Sequence, residues 1–403
     1  MRATAAVLVA IGLVASACGA NNSNSGEQKT IIVAVDAPFS QSPYIGNTIA
    51  NGARLAADQL AATGSAYKIR VIKLDNALSP SRAVAGTRRA LREHATAIVT
   101  DGTGIDATWQ LANKQHVPIC ITYQGGVGLV NPATRPNVFR IAPTDHGLAF
   151  RLAEYLVPKG LKIALLTDDS DYGQEGRTAL ADAFATVGKS VAARITLPSS
   201  AGDLAPQVLQ ARRPGATALL VWAQPAVLAK TIVGARSAGW HVPIYTTPAG
   251  EDPFVRQQLA DHPRWVDGLT LASGRMTAEL GSAPWSAFEA AYETAFGATY
   301  VGVKSHGQRV IAPPDYAMYS YDFVNLLAAA VQRAHGTDGS KVVAALNEVS
   351  THGANGDERG FNERNHEGVV DDDVYFAQFR DMVFRPVRDD PLSSTLPVIR
   401  QVR

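Results

Sequence analysis

Apolar positions along the chain follow two periods. Short runs of β-branched and aliphatic residues at 31–36, 67–75, 97–100 and 117–122 read as strands. Between them, apolar residues recur at helical spacing over 45–62, 82–93 and 105–114. Repeated strand and helix segments of this length predict a doubly wound parallel sheet.

The pattern starts again after Val138. A strand at 138–141 is stopped by Pro143, and Thr144 or Asp145 is available as a helix N-cap. Leu148, Leu152, Tyr155 and Leu156 then recur at helical spacing, and Gly160 closes that helix in a left-handed conformation. The strand at 162–167 runs into Asp168-Asp169-Ser170-Asp171-Tyr172-Gly173, after which a second helix begins. Ligands of open α/β sheets sit at such carboxyl ends of strands, which puts Tyr172 where a ligand would meet it. Further strands at 190–195, 218–222, 243–246 and 267–272, with helices between them, predict a second sheet. Beyond Ser273 come helices over 285–296, 316–335 and 339–348, then a hairpin over 374–386 turning at Arg380-Asp381. None of these late helices has a sheet of its own. They are assigned to the first lobe, giving lobes of 30–142 plus 274–351 and 143–273 plus 352–403.

The length of 403 residues exceeds what one core usually serves, and 46% apolar residues suffice to fill two. A net charge of +1 with no basic run gives no electrostatic footprint for nucleic acid. Residues 3–17 are uncharged and rich in Ala, Val and Leu, yet too short for the roughly 20 residues of a spanning helix. Residues 1–17 therefore read as an export signal. Ala15-Ser16-Ala17-Cys18-Gly19 resembles the bacterial lipoprotein cleavage box, in which Cys18 is acylated and anchors the chain to the outer face of the cytoplasmic membrane. Plain cleavage after the same Ala-Ser-Ala is the alternative. Residues 18–29, containing NNSNSGEQK, have the composition of a flexible tether. With Cys18 lipidated, Cys120 has no partner within the chain, and its apolar surroundings mark it as a small core residue.

Enzymatic motifs do not emerge. The chain lacks a Gly-x-Ser-x-Gly elbow and a His-Glu-x-x-His helix. Residues 102–107 fit a loose dinucleotide fingerprint, but they follow the third strand rather than the first, and the next strand ends in Thr122 rather than an acid. The acidic run at 168–171 is out of register with a calcium loop. No metal or cofactor is implied. His146, His241 and His366 read as surface or capping residues, and Asp371-Asp372-Asp373 as a solvated turn. Tyr316 and Tyr319 are kept as pocket neighbours.

Several segments together resemble the type I periplasmic binding proteins, most closely the leucine/isoleucine/valine-binding lipoproteins of ABC importers. They are Gly52-Ala53-Arg54-Leu55-Ala56, Val117-Pro118-Ile119, Phe139-Arg140 with Asp145, Asp171-Tyr172-Gly173 and Tyr319-Ser320-Tyr321-Asp322. The resemblance implies two Rossmann-like α/β lobes joined by a three-crossover hinge and closing on a small polar ligand, an amino acid or amide-like metabolite. It also implies ABC permease subunits as partners, or a sensor or envelope-regulating scaffold on the same fold without a transport role.

The resemblance places the ligand site as well. Gly102 and Thr103 occupy the loop that holds a ligand carboxylate through backbone N–H groups and a hydroxyl. Tyr123, Gln124 and Gly125 form a wall that differs from the usual Pro-Ala-Ala-Thr, and Tyr44 joins them from ahead of the first helix. Tyr172, Trp222 and Gln224 are expected from the second lobe. In the loop 247–251, Ala249 stands where amino-acid binders place an acid against the ligand ammonium. Either Glu251 or Asp252 replaces that acid, or the ligand lacks an α-ammonium.

Overall fold

The computed structural model describes residues 29–274, 282–298, 300–303, 309–311, 314–381 and 383–396. The expected export signal, Cys18 and the tether up to residue 28 lie outside these residues.

Strand β1 (Lys29–Ala37) leads into α1 (Pro43–Ala62), followed by β2 (Tyr67–Asp75), α2 (Pro80–Arg92), β3 (Ala97–Thr100), α3 (Ile105–Asn113), β4 (Ile119–Ile121) and β5 (Val138–Arg140). The strands form a parallel sheet in the order β2-β1-β3-β4-β5. Val33 is paired with Val71 and Ala97, and Cys120 with Val99 and Phe139. Alternation along β1 serves two cores: Ile31, Val33 and Val35 pack on the α1 side, while Ala34 packs with Leu91 and Ile105 of α2 and α3. Cys120 is a buried free thiol in the first of these cores, as its apolar neighbours predict.

The chain then crosses into α4 (Asp145–Leu156), β6 (Ile163–Asp168), α5 (Asp171–Thr186), β7 (Ala193–Leu197), α6 (Ala205–Arg212), β8 (Ala218–Trp222), α7 (Pro225–Ser237), β9 (Ile244–Thr246), α8 (Pro253–Gln258) and β10 (Thr270–Ser273). Thr144 is the cap of α4, its Oγ1 accepting from Gly147 N at 2.9 Å. Gly160 has φ +65°, as a helix stop requires. The strands pair in parallel in the order β10-β9-β8-β6-β7, again with a core on each face.

After β10 come α9 (Ala283–Phe296), the pair β11 (Tyr300–Val303) and β12 (Arg309–Ile311), α10 (Asp315–Arg333), α11 (Gly339–Leu346), the pair β13 (Ser350–His352) and β14 (Glu358–Gly360), β15 (Tyr375–Arg380) and β16 (Val383–Pro386). Helix α10 lies directly on α1. A Cβ on Gly52 would fall 1.9 Å from the Ala317 carbonyl oxygen, so only glycine permits this approach, and Ser320 Oγ donates to Ile49 O at 2.7 Å. β15 returns to the second sheet, antiparallel to β10 with Leu271 opposite Ala377.

Two buried ionic arrangements hold the crossing segments. Arg140 donates to both oxygens of Glu367 and to the carbonyls of Gln124 and Gly126. Beside it, Arg140 N–H donates to His366 O at 2.9 Å and Gly368 N–H to Arg140 O at 2.7 Å, so residues 366–368 line the edge of β5. Arg359 joins Asp322 of α10 at 3.2 Å to Asp373 at 2.9 Å. These contacts correct two expectations. His366 is not a surface residue: it is buried, stacked on Phe139 at 4.1 Å, with Nδ1 2.9 Å from Val138 O. Asp373 is not solvated either, because it serves the buried guanidinium of Arg359.

Candidate functional site

Loops at the carboxyl ends of strands from both sheets approach one another. From the first sheet, the loop after β3 carries Asp101, Gly102, Thr103 and Gly104. Gly102 has φ +112°, and a Cβ there would lie 2.8 Å from the Gln124 side chain. The loop is fastened by Gly102 N–H donating to Thr100 Oγ1 at 3.1 Å and Gln124 N–H to Asp101 O at 2.9 Å. Thr103 is buried, and its hydroxyl donates to Asp101 Oδ2 at 2.6 Å. The expected role of that hydroxyl as a donor to a ligand carboxylate is therefore corrected, because its proton is committed to Asp101.

Three tyrosines line the same side. The Tyr316 ring lies 4.9 Å from Tyr123 and 6.2 Å from Tyr44, both edge to face. Tyr44 also packs against the core of the second sheet, so it reaches across between the lobes. Tyr316, kept as a pocket neighbour on sequence grounds, sits at the centre of this group. Tyr319 is buried in the core between α10 and the first sheet.

The second sheet contributes Tyr172 in the first turn of α5, after Ser170 caps that helix. The Tyr172 hydroxyl donates to Thr247 Oγ1 at 2.7 Å, which links α5 to the loop after β9. Trp222 requires a correction. It has no exposed surface and packs under α5, where a Cβ on Gly176 would lie 2.3 Å from its Cδ1. Its ring is 5.7 Å from Tyr172, so it supports that tyrosine from behind rather than facing a ligand. Gln224 is half-buried at the start of α7, its N–H donating to Asp168 Oδ2 at 2.7 Å. Glu251 and Asp252 are both buried, and Asp252 caps α8 by accepting from Phe254 N–H at 2.8 Å.

Asp145 belongs with this group, although the sequence marks it only as a cap or crossing residue. It is 1% exposed, its N–H donates to Gly125 O at 2.8 Å, and a Cβ on Gly125 would lie 2.4 Å from its Oδ1. Next to it, Glu175 of α5 reaches so near Gly126 that a Cβ there would lie 2.7 Å from its Oε2. Burial, with the nearby Glu175 charge, pushes the Asp145 carboxyl up to about 7, against the opposing pull of Arg140. The tyrosine hydroxyls are raised chiefly by burial, and further by neighbouring carboxylates and by one another, Tyr123 acting on both Tyr316 and Tyr172. Asp252, Asp101 and Asp145 act on Tyr123, Asp145 and Asp168 on Tyr172, and Glu251 and Asp252 on Tyr316. The site thus combines aromatic walls with buried carboxyl groups.

A family model described as "periplasmic binding protein" matches residues 31–382. Comparison with curated proteins gave no match. Among solved structures, a type 1 periplasmic binding protein from Bordetella pertussis Tohama I is 21% identical, with a TM-score of 0.77 over 89% of this chain and 99% of that one. The branched-chain amino acid transporter substrate binding protein of Streptococcus pneumoniae, solved with isoleucine, is 21% identical, with a TM-score of 0.73 over 88% and 98% of the two chains. A solute binding protein of an ABC transporter from Rhodopseudomonas palustris BisB5, solved with 3,4-dihydroxybenzoic acid, is 18% identical, with a TM-score of 0.71 over 87% and 93%. At these identities the structural likeness concerns the fold.

Proposed function

The chain belongs to the periplasmic binding protein family, and we propose that it captures a small polar solute, an amino acid or a metabolite of similar size, between two lobes for an ABC importer. The first lobe is residues 30–142 with 274–369 and the second residues 143–273 with 370–403; the boundary expected at 351 moves because β14 pairs with β13, Arg359 bonds Asp322 of α10, and Phe361 and Val369 lie in the core of the first sheet. Pocket contacts come from Tyr44, Gly102, Tyr123, Gln124, Gly125, Tyr172, Gln224 and Glu251, joined by Asp145, Thr247 and Tyr316. Export is followed by acylation of Cys18, which leaves the folded body on a tether outside the cytoplasmic membrane.

The observation that carries this reading is the meeting of strand-end loops from two separate sheets, with Glu175 of one against Gly126 of the other. Lobes joined by crossing segments can hinge shut on a ligand. Micromolar affinity, about 8 kcal/mol, is ample for such capture. The test is a thermal-shift survey of amino acids, amides, amines and small organic acids, with mass spectrometry of any compound released on denaturation. A bound solute raises the unfolding temperature by mass action. A protein that releases nothing and responds to none of these would instead serve as a scaffold.

A further inference from the structure

The charge of the solute is legible in what the site's donors and acceptors already do. A carboxylate at the loop after β3 would need the donors of Thr103. Here those donors serve the chain's own Asp101, which accepts the Thr103 hydroxyl at 2.6 Å, the Thr103 backbone N–H, and Asn76 Nδ2 at 2.7 Å. An anionic group placed there would meet a buried carboxylate whose donors are already bonded, an arrangement that costs free energy on both counts.

The opposite wall has the complementary property. Asp145 is buried, and its Oδ2 accepts no hydrogen bond from the described residues. It lies against Gly125, and its charge acts on the hydroxyls of Tyr123 from the first lobe and Tyr172 from the second. Arg140 also acts on Asp145, but its guanidinium is held by Glu367 and by two carbonyls. A buried carboxylate oxygen with an open lone pair matches an ammonium group in charge.

We propose that the solute is an organic cation, an amine or quaternary ammonium without a carboxylate, whose positive charge rests on Asp145 beside Gly125. This rests on the solute-capture reading and narrows it to one chemical class, separate from amino acids and from the aromatic acid bound by one solved relative.

The test is titration calorimetry on the full-length protein with matched ligands. Each set holds an amino acid, its amide and its deaminated acid, built on small aliphatic, large aliphatic, aromatic and polar side chains, with choline and 4-hydroxybenzoate added. The expected ranking in whichever set binds is amide at least equal to amino acid, and the deaminated acid weaker by roughly 100-fold or more. Asp145→Asn is expected to weaken cation binding by roughly 30-fold. An amino acid bound about tenfold more tightly than its amide would overturn the proposal, as would binding of the acids or an unchanged Asp145→Asn; each leaves solute capture standing. Silence across every set removes solute capture itself, and this proposal with it. The ranking is read in the unmodified protein, so it decides the matter even if Asp145→Asn does not fold.

Discussion

Arg140 grips both carboxylate oxygens of Glu367, Nε to Oε2 at 2.7 Å and Nη2 to Oε1 at 2.6 Å. The first crossing segment is thereby tied to the last. Arg140 is 3% exposed, so Glu367→Ala would leave a buried guanidinium without its counter-charge. The expected cost is about 3–5 kcal/mol, read from equilibrium urea unfolding. A loss below about 1 kcal/mol would mean that the crossing does not depend on this pair.

Gly176 is required by packing. Its missing Cβ would lie 2.3 Å from the Trp222 ring, and Trp222 is enclosed on all sides. Gly176→Ala is expected to destabilise by about 1–3 kcal/mol through overpacking, measured as a lower Tm. A neutral outcome would show that α5 can shift outward without penalty.

Tyr172 bridges α5 and the loop after β9 through Thr247, at 2.7 Å. Tyr172→Phe removes one hydrogen bond and leaves Thr247 buried, for a stability loss of about 1 kcal/mol. Tyr172→Ala also removes a wall of the cleft, and is expected to weaken solute binding by about 1–3 kcal/mol. Binding that survives the alanine variant unchanged would relocate the site.

Asp36, at the end of β1, is raised to about 8, first by burial and then by the charges of Asp101 and Asp75. Between its unfolded value near 4 and that folded value, the native chain holds a proton that the unfolded chain releases. Stability from this group is therefore complete below about pH 4 and is lost as pH rises toward 8, by up to about 1.4 kcal/mol per pH unit. Asp145, raised to about 7, adds a loss of the same sign that ends earlier. Asp36→Asn should flatten the decline between pH 7 and 8 in urea unfolding. Equal slopes in variant and parent would remove Asp36 as the cause.

Much of this arrangement is legible in the sequence, and the exceptions share a physical reason. Strand periodicity and the stops at Thr144 and Gly160 locate the elements, because cap and left-handed positions depend on local chemistry alone. The strand-end rule finds Tyr172 for the same reason. Applied to Trp222 it locates the level but not the face: residues 218, 220 and 222 share one side of β8 and all point into the core with α5. Thr103 is diverted by Asp101 two positions earlier, a contact that depends on the turn between them. His366 carries no periodic signal. It is buried because residues 366–368 happen to align with β5, far away in the chain.

The contact between Gly52 and Ala317 sets the order in which this protein can mature. Helix α1 leaves the ribosome early, but the surface that covers Ile45, Ile49 and Leu55 includes residues of α10, synthesised much later. A fragment ending at Ser273 is expected to remain aggregation-prone and to lack cooperative unfolding, as followed by sedimentation and circular dichroism; a well-folded fragment would refute this. The first half of the chain stays incomplete until α10 is present, so the first lobe gains a cooperative core only once residues 315–333 have been added.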